Sequence, residues 1–232
     1  MKLLISLIVL FSMSLHAFET SNLQLLHSDK FDGDAFIYDT QDAKKTTLTF
    51  EHFRTHSYGD LFMFVDAVDA KALDGTSFGV YTEIGPRLSL SKVLGRDLSN
   101  SFIQDIFIAT QINIGKDYRA YLYGLGANFK VPGFNLFSVN LYNKNENINT
   151  DNTYQITSAY ATKSFYNIHL EGFIDITKRD VSTQNQLLLN VGSAFDTKEN
   201  IYVGTEWLYY RYDYDGSTSG TNVFQVMIKY VF

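Results

Sequence analysis

The chain has 232 residues, with 19 basic and 25 acidic side chains giving a formal net charge of −6. No run of Lys or Arg is dense enough to track a phosphate backbone, which excludes nucleic acid as a partner. There is no cysteine, so neither a disulfide framework nor a thiol for lipid attachment is available. Nineteen Phe, 16 Tyr and two Pro beside 19% charged residues are too polar-interleaved for helical membrane spans. They suit strands that meet lipid on one face and water on the other.

Residues 1–17 have the form of an export leader. Lys2 supplies the positive start, Leu3 to Leu15 is an almost uncharged apolar run, and Leu15-His16-Ala17 ends on a small residue suited to cleavage. The run is shorter than the ~20 apolar residues a spanning helix needs. The mature chain is expected to begin at Phe18, and losing Lys2 makes it one unit more negative.

From there, alternation of apolar and polar residues predicts twelve strands: one within Asn22–Tyr38, then Thr46–Thr55, Leu61–Asp69, Phe78–Ser91, Phe102–Ile114, Tyr118–Lys130, Asn135–Lys144, Thr153–Lys163, Asn167–Thr177, Gln184–Phe195, Ile201–Asp213 and Val223–Phe232. The period is clearest between Phe78 and Leu90. Phe78, Val80, Ile84, Pro86, Leu88 and Leu90 share one face, and Tyr81, Glu83, Arg87 and Ser89 the other. Ile168, Leu170, Ile174 and Ile176 oppose Asn167, His169, Glu171 and Asp175 in the same way, and Phe137, Val139 and Leu141 oppose Ser138, Asn140, Tyr142 and Lys144. Most of these runs are near the ~9–11 residues of a tilted membrane strand, and their number is even.

Turn-rich segments at Asp39–Lys45, Asn145–Asn152 and Tyr214–Asn222 alternate with shorter ones at His56–Asp60, Val131–Phe134 and Asp196–Asn200. The alternation predicts extracellular loops at one end and periplasmic turns at the other, with both termini periplasmic. Lys92–Asn100, which is long, and Gly115–Asp117, which is short, break the pattern. In the last strand Phe224, Val226, Ile228, Tyr230 and Phe232 share one face, with Gln225 and Lys229 on the other. A closing strand that ends in an aromatic residue is the kind of signal the outer-membrane barrel assembly machinery reads. No linker divides the chain, so residues 18–232 are expected to form one all-β domain. The expected fold is a closed antiparallel transmembrane β-barrel of about twelve strands in the lipid bilayer of a Gram-negative outer membrane, with no open edge in hydrocarbon.

Several segments resemble the nucleoside-specific channel-forming proteins, the Tsx-like family that includes OmpK-type outer membrane proteins. The densest is Glu83-Ile84-Gly85-Pro86-Arg87-Leu88-Ser89, similar to the family's E-x-x-P-R-hydrophobic-Ser strand. Asp97-Leu98 and the aromatic strand around Phe107 follow it. Leu48 to Phe53, Gly124-Leu125-Gly126 and the strand from Ser138 to Lys144 continue the likeness. The chain departs from the family in having Trp207 as its only Trp, and Thr49 where the family strand carries its first Glu. The resemblance implies a twelve-stranded barrel forming a narrow passive channel, in which aromatic and ionisable lumen side chains hold nucleosides and deoxynucleosides.

Alternation turns inward Glu51, Phe53, Tyr81, Glu83, Arg87, Asp105, Phe107, Tyr142, Lys144, His169 and Glu171, the candidate ligand-binding set. Asp175, Glu206, Lys229, Phe173, Tyr202 and Tyr210 share those faces. A nucleoside joins a planar base to a polyhydroxyl sugar, so it suits a groove with π contact on one side and polar partners on the other. Phe53 and Phe107 are the first choices for stacking, with Glu51 and Asp105 two residues away as polar partners. The competing reading is that Glu83 and Arg87 brace the wall and that the inward aromatics fill space. Trp207, Tyr209, Tyr121 and Tyr123 point outward as interface-belt residues. His52 and His56, four apart on a strand, do not converge, and neither metal nor cofactor is expected. Two other classes of function stay open. One is a structural or adhesive barrel whose loops bind phage or host surfaces. The other is a lipid-acting enzyme, which would need a Ser/His pair beside lipid, whereas His169 lies on a water face.

Overall fold

Residues that alternate between apolar and polar can satisfy both solvents only when the ladder closes, because an open edge would leave backbone N–H and C=O groups unpaired. The computed structural model describes residues 18–31, 43–71, 77–148, 152–192, 200–214 and 217–232, and within them the ladder does close. The expected leader, residues 1–17, lies outside the described residues.

The strands are β1 (Glu19–Ser28), β2 (Lys45–His56), β3 (Gly59–Asp69), β4 (Phe78–Ser89), β5 (Ile103–Gly115), β6 (Tyr118–Phe129), β7 (Phe134–Glu146), β8 (Thr153–Thr162), β9 (Ile168–Thr177), β10 (Asp180–Asn190), β11 (Asn200–Tyr214) and β12 (Ser217–Val231). Each pairs antiparallel with its neighbours in sequence, and β12 returns to β1. At that seam Leu25 stands opposite Ile228, the Phe232 N–H donates to the Ser21 carbonyl at 2.9 Å, and the Ser21 N–H donates to the Phe232 carbonyl at 3.2 Å. All-β architecture, closure and strand number agree with the sequence. The start of β1 and the end of β12 lie together at one end of the barrel, here termed the terminus end.

Burial reproduces the two faces. On β12 the outward Phe224, Val226 and Ile228 are 66%, 67% and 53% exposed, while the inward Gln225, Met227 and Lys229 are 2–4% exposed. Leu88, Ile168 and Leu170 are exposed on the outer surface, as are Trp207, Tyr121 and Tyr123. The interior is mainly polar. Small apolar knots interrupt it: Leu26, Leu188 and Met227 in one, and Ala109, Ala120, Leu122 and Tyr142 in another. In a third, Phe31 just beyond β1 folds inward against Leu208 and Val223, with the Lys45 ammonium 4.5 Å over its ring.

Strand ends depart from expectation. β1 begins at Glu19 rather than Asn22, β10 at Asp180 rather than Gln184, and β12 at Ser217 rather than Val223. Ser217 to Asn222 of the loop expected at Tyr214–Asn222 are therefore strand, and residues 215–216 lie outside the described residues. The far ends of the first and tenth expected strands, towards Tyr38 and Phe195, and parts of the turns at Asp39–Lys45 and Asp196–Asn200, lie outside the described residues. Long and short connections do not separate the two ends: opposite the terminus end, residues 178–179 form a two-residue turn, as do residues 116–117, the short connection already evident in the sequence. Leu90 does not continue β4 but opens a short helix, α1 (Leu90–Leu94). The Ser89 side chain caps it by accepting from the Lys92 N–H at 3.1 Å, and Gly95 ends it at φ 61°, where a Cβ would be strained.

Candidate functional site

The lumen has two parts, and the strand pattern assigns their residues. Near the terminus end, Arg87 on β4 stands opposite Asp60 on β3 in the ladder. Its Nε and Nη2 donate to the two carboxylate oxygens at 2.8 and 2.7 Å, a bidentate pair with side chains 9% and 5% exposed. Its Nη1 donates to the Ser138 hydroxyl at 2.9 Å and to Asn140 Oδ1 at 3.4 Å, both on β7. One side chain thus ties β3 to β7, over the heads of β5 and β6.

That reach needs small residues beneath it. Ala109 on β5 is fully buried, and at Gly126 on β6 an added Cβ would lie 2.1 Å from Asn140 Oδ1. The guanidinium also sits 4.1 Å over the ring of Phe107, a desolvated cation–π contact. The partner of Arg87 is therefore Asp60 and not Glu83, and the face of Phe107 offered to the lumen is covered.

Other candidates near this end are tied into the wall as well. Asp105 accepts from the Ser89 and Ser91 hydroxyls at 2.6 and 2.8 Å, which anchors α1 to β5. Glu51 accepts from Asn22 at 3.0 Å, and the ring of Phe53 lies 6.2 Å from that of Phe18. Across the lumen Lys229 on β12 pairs with Glu171 on β9. Glu171 also meets His169 Nε2 at 3.3 Å, and the His169 ring packs edge-on to Tyr202 at 5.1 Å. Tyr142 is 5% exposed, in the cluster with Ala109 and Leu122.

Opposite the terminus end the lumen holds a cavity of about 300 Å³, here termed the vestibule. Tyr81 and Tyr118 stack at 6.5 Å on one wall. Tyr210 and Tyr212 on β11 stack at 6.5 Å on the nearly opposite wall. Both pairs line the cavity, together with Glu83, Glu146, Asp175, Asp180, Lys116 and Lys144. Glu83 is held by a network: Tyr81 Oη donates to it at 2.7 Å, Gln111 at 2.7 Å and Asn113 at 2.8 Å. Lys144 lies 3.3 Å from Glu146, which accepts from Tyr118 Oη at 3.2 Å. Asp175 accepts from Thr157 at 2.5 Å.

Of the eleven candidates drawn from the sequence, the structure brings Tyr81, Glu83 and Lys144 to this cavity. Arg87, Phe107, Asp105, Tyr142, Glu51, Phe53, His169 and Glu171 do not line it. Glu146, Asp180 and Ser182 were missed because their strands run further than expected. Period two carried on from Lys144 to Glu146, and back from Gln184 to Ser182 and Asp180, would have found them.

Residues 26–200 match the family described as "Nucleoside-specific channel-forming protein, Tsx". Outer membrane protein OmpK of Vibrio parahaemolyticus is 29% identical over 129 residues, covering 50% of this chain and 49% of that protein. The OmpK of Vibrio parahaemolyticus serotype O3:K6 (strain RIMD 2210633) is 28% identical over 135 residues, 50% of each chain. The chain thus spans about half the length of the curated relatives it matches. Among solved structures, the KdgM porin superposes with a TM-score of 0.53 at 12% identity, covering 92% of this chain and 99% of that one. The KdgM porin in complex with disordered oligogalacturonate gives 0.52 at 12% identity over the same shares. At that identity the likeness shows the barrel fold alone. The family match makes this chain a member of the nucleoside-specific channel-forming protein family, a closed β-barrel of the Gram-negative outer membrane.

Proposed function

We propose that this barrel passes nucleosides and deoxynucleosides one at a time, holding them weakly in the vestibule. The observation that carries the reading is the pair of tyrosine stacks facing each other across a cavity of about 300 Å³ that also holds carboxylates and ammonium groups. A planar base fits between π faces, while the sugar meets the carboxylate, hydroxyl and ammonium groups between them. The volume is at the small end of the ~300–1,000 Å³ that small-molecule sites occupy, which favours a single compact solute. Holding must be weak, because conduction needs release as well as capture.

In this reading Tyr81, Glu83 and Lys144 contact the solute. Arg87, Phe107, Asp105 and Tyr142 fix the narrower passage beyond it, and Glu51, Phe53, His169 and Glu171 line the way out at the terminus end. Both termini face the periplasm and the vestibule faces outward. Ser28 and Lys45, the ends of β1 and β2 on the vestibule side, are separated by 16 residues of sequence, the longest interval between strands, which supports that placement. Residues 1–17 act as the export leader, and the strand ending at Phe232 is what the barrel assembly machinery recognises. The apolar outer face of β12 supports that role.

Uptake into liposomes carrying the protein tests the function. Radiolabelled adenosine should enter with saturable kinetics in the millimolar range, and a neutral disaccharide of similar size should enter more slowly and without saturation. Equal, unsaturable rates for both would reduce the protein to a general diffusion pore.

A further inference from the structure

Within the vestibule, Ser182 differs from its neighbours. It is 4% exposed, it lines the cavity, and its hydroxyl has no hydrogen-bond partner. A buried hydroxyl without a partner carries an uncompensated desolvation cost, so a solute that supplies one gains from it. The ladder places Asp175 of β9 directly opposite Ser182 on one side and Tyr210 of β11 on the other. One row of inward side chains thus presents a carboxylate, an unsatisfied hydroxyl and an aromatic ring. The Asp175 carboxylate receives Thr157 at 2.5 Å and, like any carboxylate, has about four lone-pair sites.

The chemistry of the row selects its ligand. A carboxylate only accepts, and a serine hydroxyl both donates and accepts. Directly opposed residues of antiparallel strands hold their Cβ atoms ~4.5–5.5 Å apart, a span that two hydroxyls on adjacent carbons can bridge. An anion is unsuited, because Glu83, Glu146 and Asp180 line the same cavity. We propose that Asp175 and Ser182 form a subsite for the vicinal diol of a neutral sugar-bearing solute. One hydroxyl donates to Asp175, its neighbour exchanges a hydrogen bond with Ser182, and Tyr210 packs against the ring that carries them. The inference rests on the reading that nucleosides occupy the vestibule, and it adds that the channel holds ribonucleosides more firmly than analogues without the diol.

The test is block of single-channel current through full-length protein purified from outer membranes, with adenosine and 2′,3′-dideoxyadenosine compared on the same channels. Adenosine should block about tenfold more tightly, a difference of ~1.4 kcal/mol. Ser182→Ala and Asp175→Asn should each close most of that gap by weakening adenosine. Equal block by the two compounds in the wild-type channel overturns the subsite and leaves nucleoside passage standing. Absence of block by either compound overturns the reading of nucleoside passage, and the subsite with it. The wild-type comparison decides the matter even if a variant fails to assemble. A gap that survives both substitutions would also overturn the assignment.

Discussion

At the terminus end of the lumen, positive and negative side chains meet directly. Arg87 grips Asp60 through two hydrogen bonds and Lys229 closes on Glu171. At the other end, Glu83, Glu146, Asp175 and Asp180 share a cavity with Lys116 and Lys144, and two pairs of tyrosines flank them. The same residue types therefore do different work according to spacing. Where a cation stands directly opposite a carboxylate in the ladder, as Arg87 does to Asp60, the two neutralise each other and stiffen the wall. Where carboxylates outnumber cations and are held by amides and phenols, as Glu83 is by Gln111, Asn113 and Tyr81, polar capacity remains for a passing solute. One half of the lumen is a frame, and the other is the half proposed to hold the solute.

The frame can be broken most severely at Arg87. Arg87→Ala removes the cation that holds the Asp60 carboxylate, itself 5% exposed, through two hydrogen bonds, and such a loss should cost roughly 3–5 kcal/mol. Urea unfolding of the barrel in detergent would measure it. A double change, Arg87→Met with Asp60→Leu, should recover most of the loss, because it leaves no charge without a partner. A cost below about 1 kcal/mol for Arg87→Ala would mean that the brace does not hold the wall.

A second substitution separates the frame from its membrane surroundings. Ile228, 53% exposed on the outer face of β12, should tolerate Arg poorly, at roughly 2–4 kcal/mol near the bilayer midplane. The same substitution at Gln155, which lines the vestibule, should cost much less. Equal costs in a lipid refolding titration would contradict the assignment of faces. A smaller effect is expected at Gly126, where an added Cβ would come within 2.1 Å of Asn140 Oδ1 and push that amide away from Arg87. Gly126→Ala should cost about 1–3 kcal/mol by overpacking, and should add little once Arg87 is already Ala. Additive losses in that double variant would show that the glycine serves something other than the brace.

How much of this was legible in the sequence differs between the two regions. Strand number, closure and facing follow from period two, which survives in most strands because lipid tolerates few polar residues on the outer face. Strand ends were harder to place. Asp180-Val181-Ser182-Thr183 and Ser217 to Asn222 are polar and poor in β-branched apolar residues, so they resemble turns. In a watery lumen such residues can continue a strand, and Asp180 and Ser182 of the vestibule lie on the first of these extensions. Partnering was also hidden. Asp60 sits at the start of β3, in a stretch the sequence places in a turn, so nothing in the sequence pairs it with Arg87 or shows that the guanidinium covers the Phe107 ring. Side chains that cross several strands, as Arg87 does to Ser138, follow from barrel curvature, and no local pattern in the sequence encodes that.

The division between frame and binding half is tested most directly at Tyr118, which belongs to the vestibule and not to the brace. Adenosine added to single channels of the wild-type protein should produce brief blocking events at millimolar concentration. Tyr118→Ala should weaken the block by about 1–3 kcal/mol, the scale of base–aromatic stacking, whereas Tyr118→Phe, which keeps the ring, should leave the block nearly unchanged. Undiminished block in Tyr118→Ala, together with loss of block on changing Phe107, would place the solute in the half described here as a frame and contradict the account.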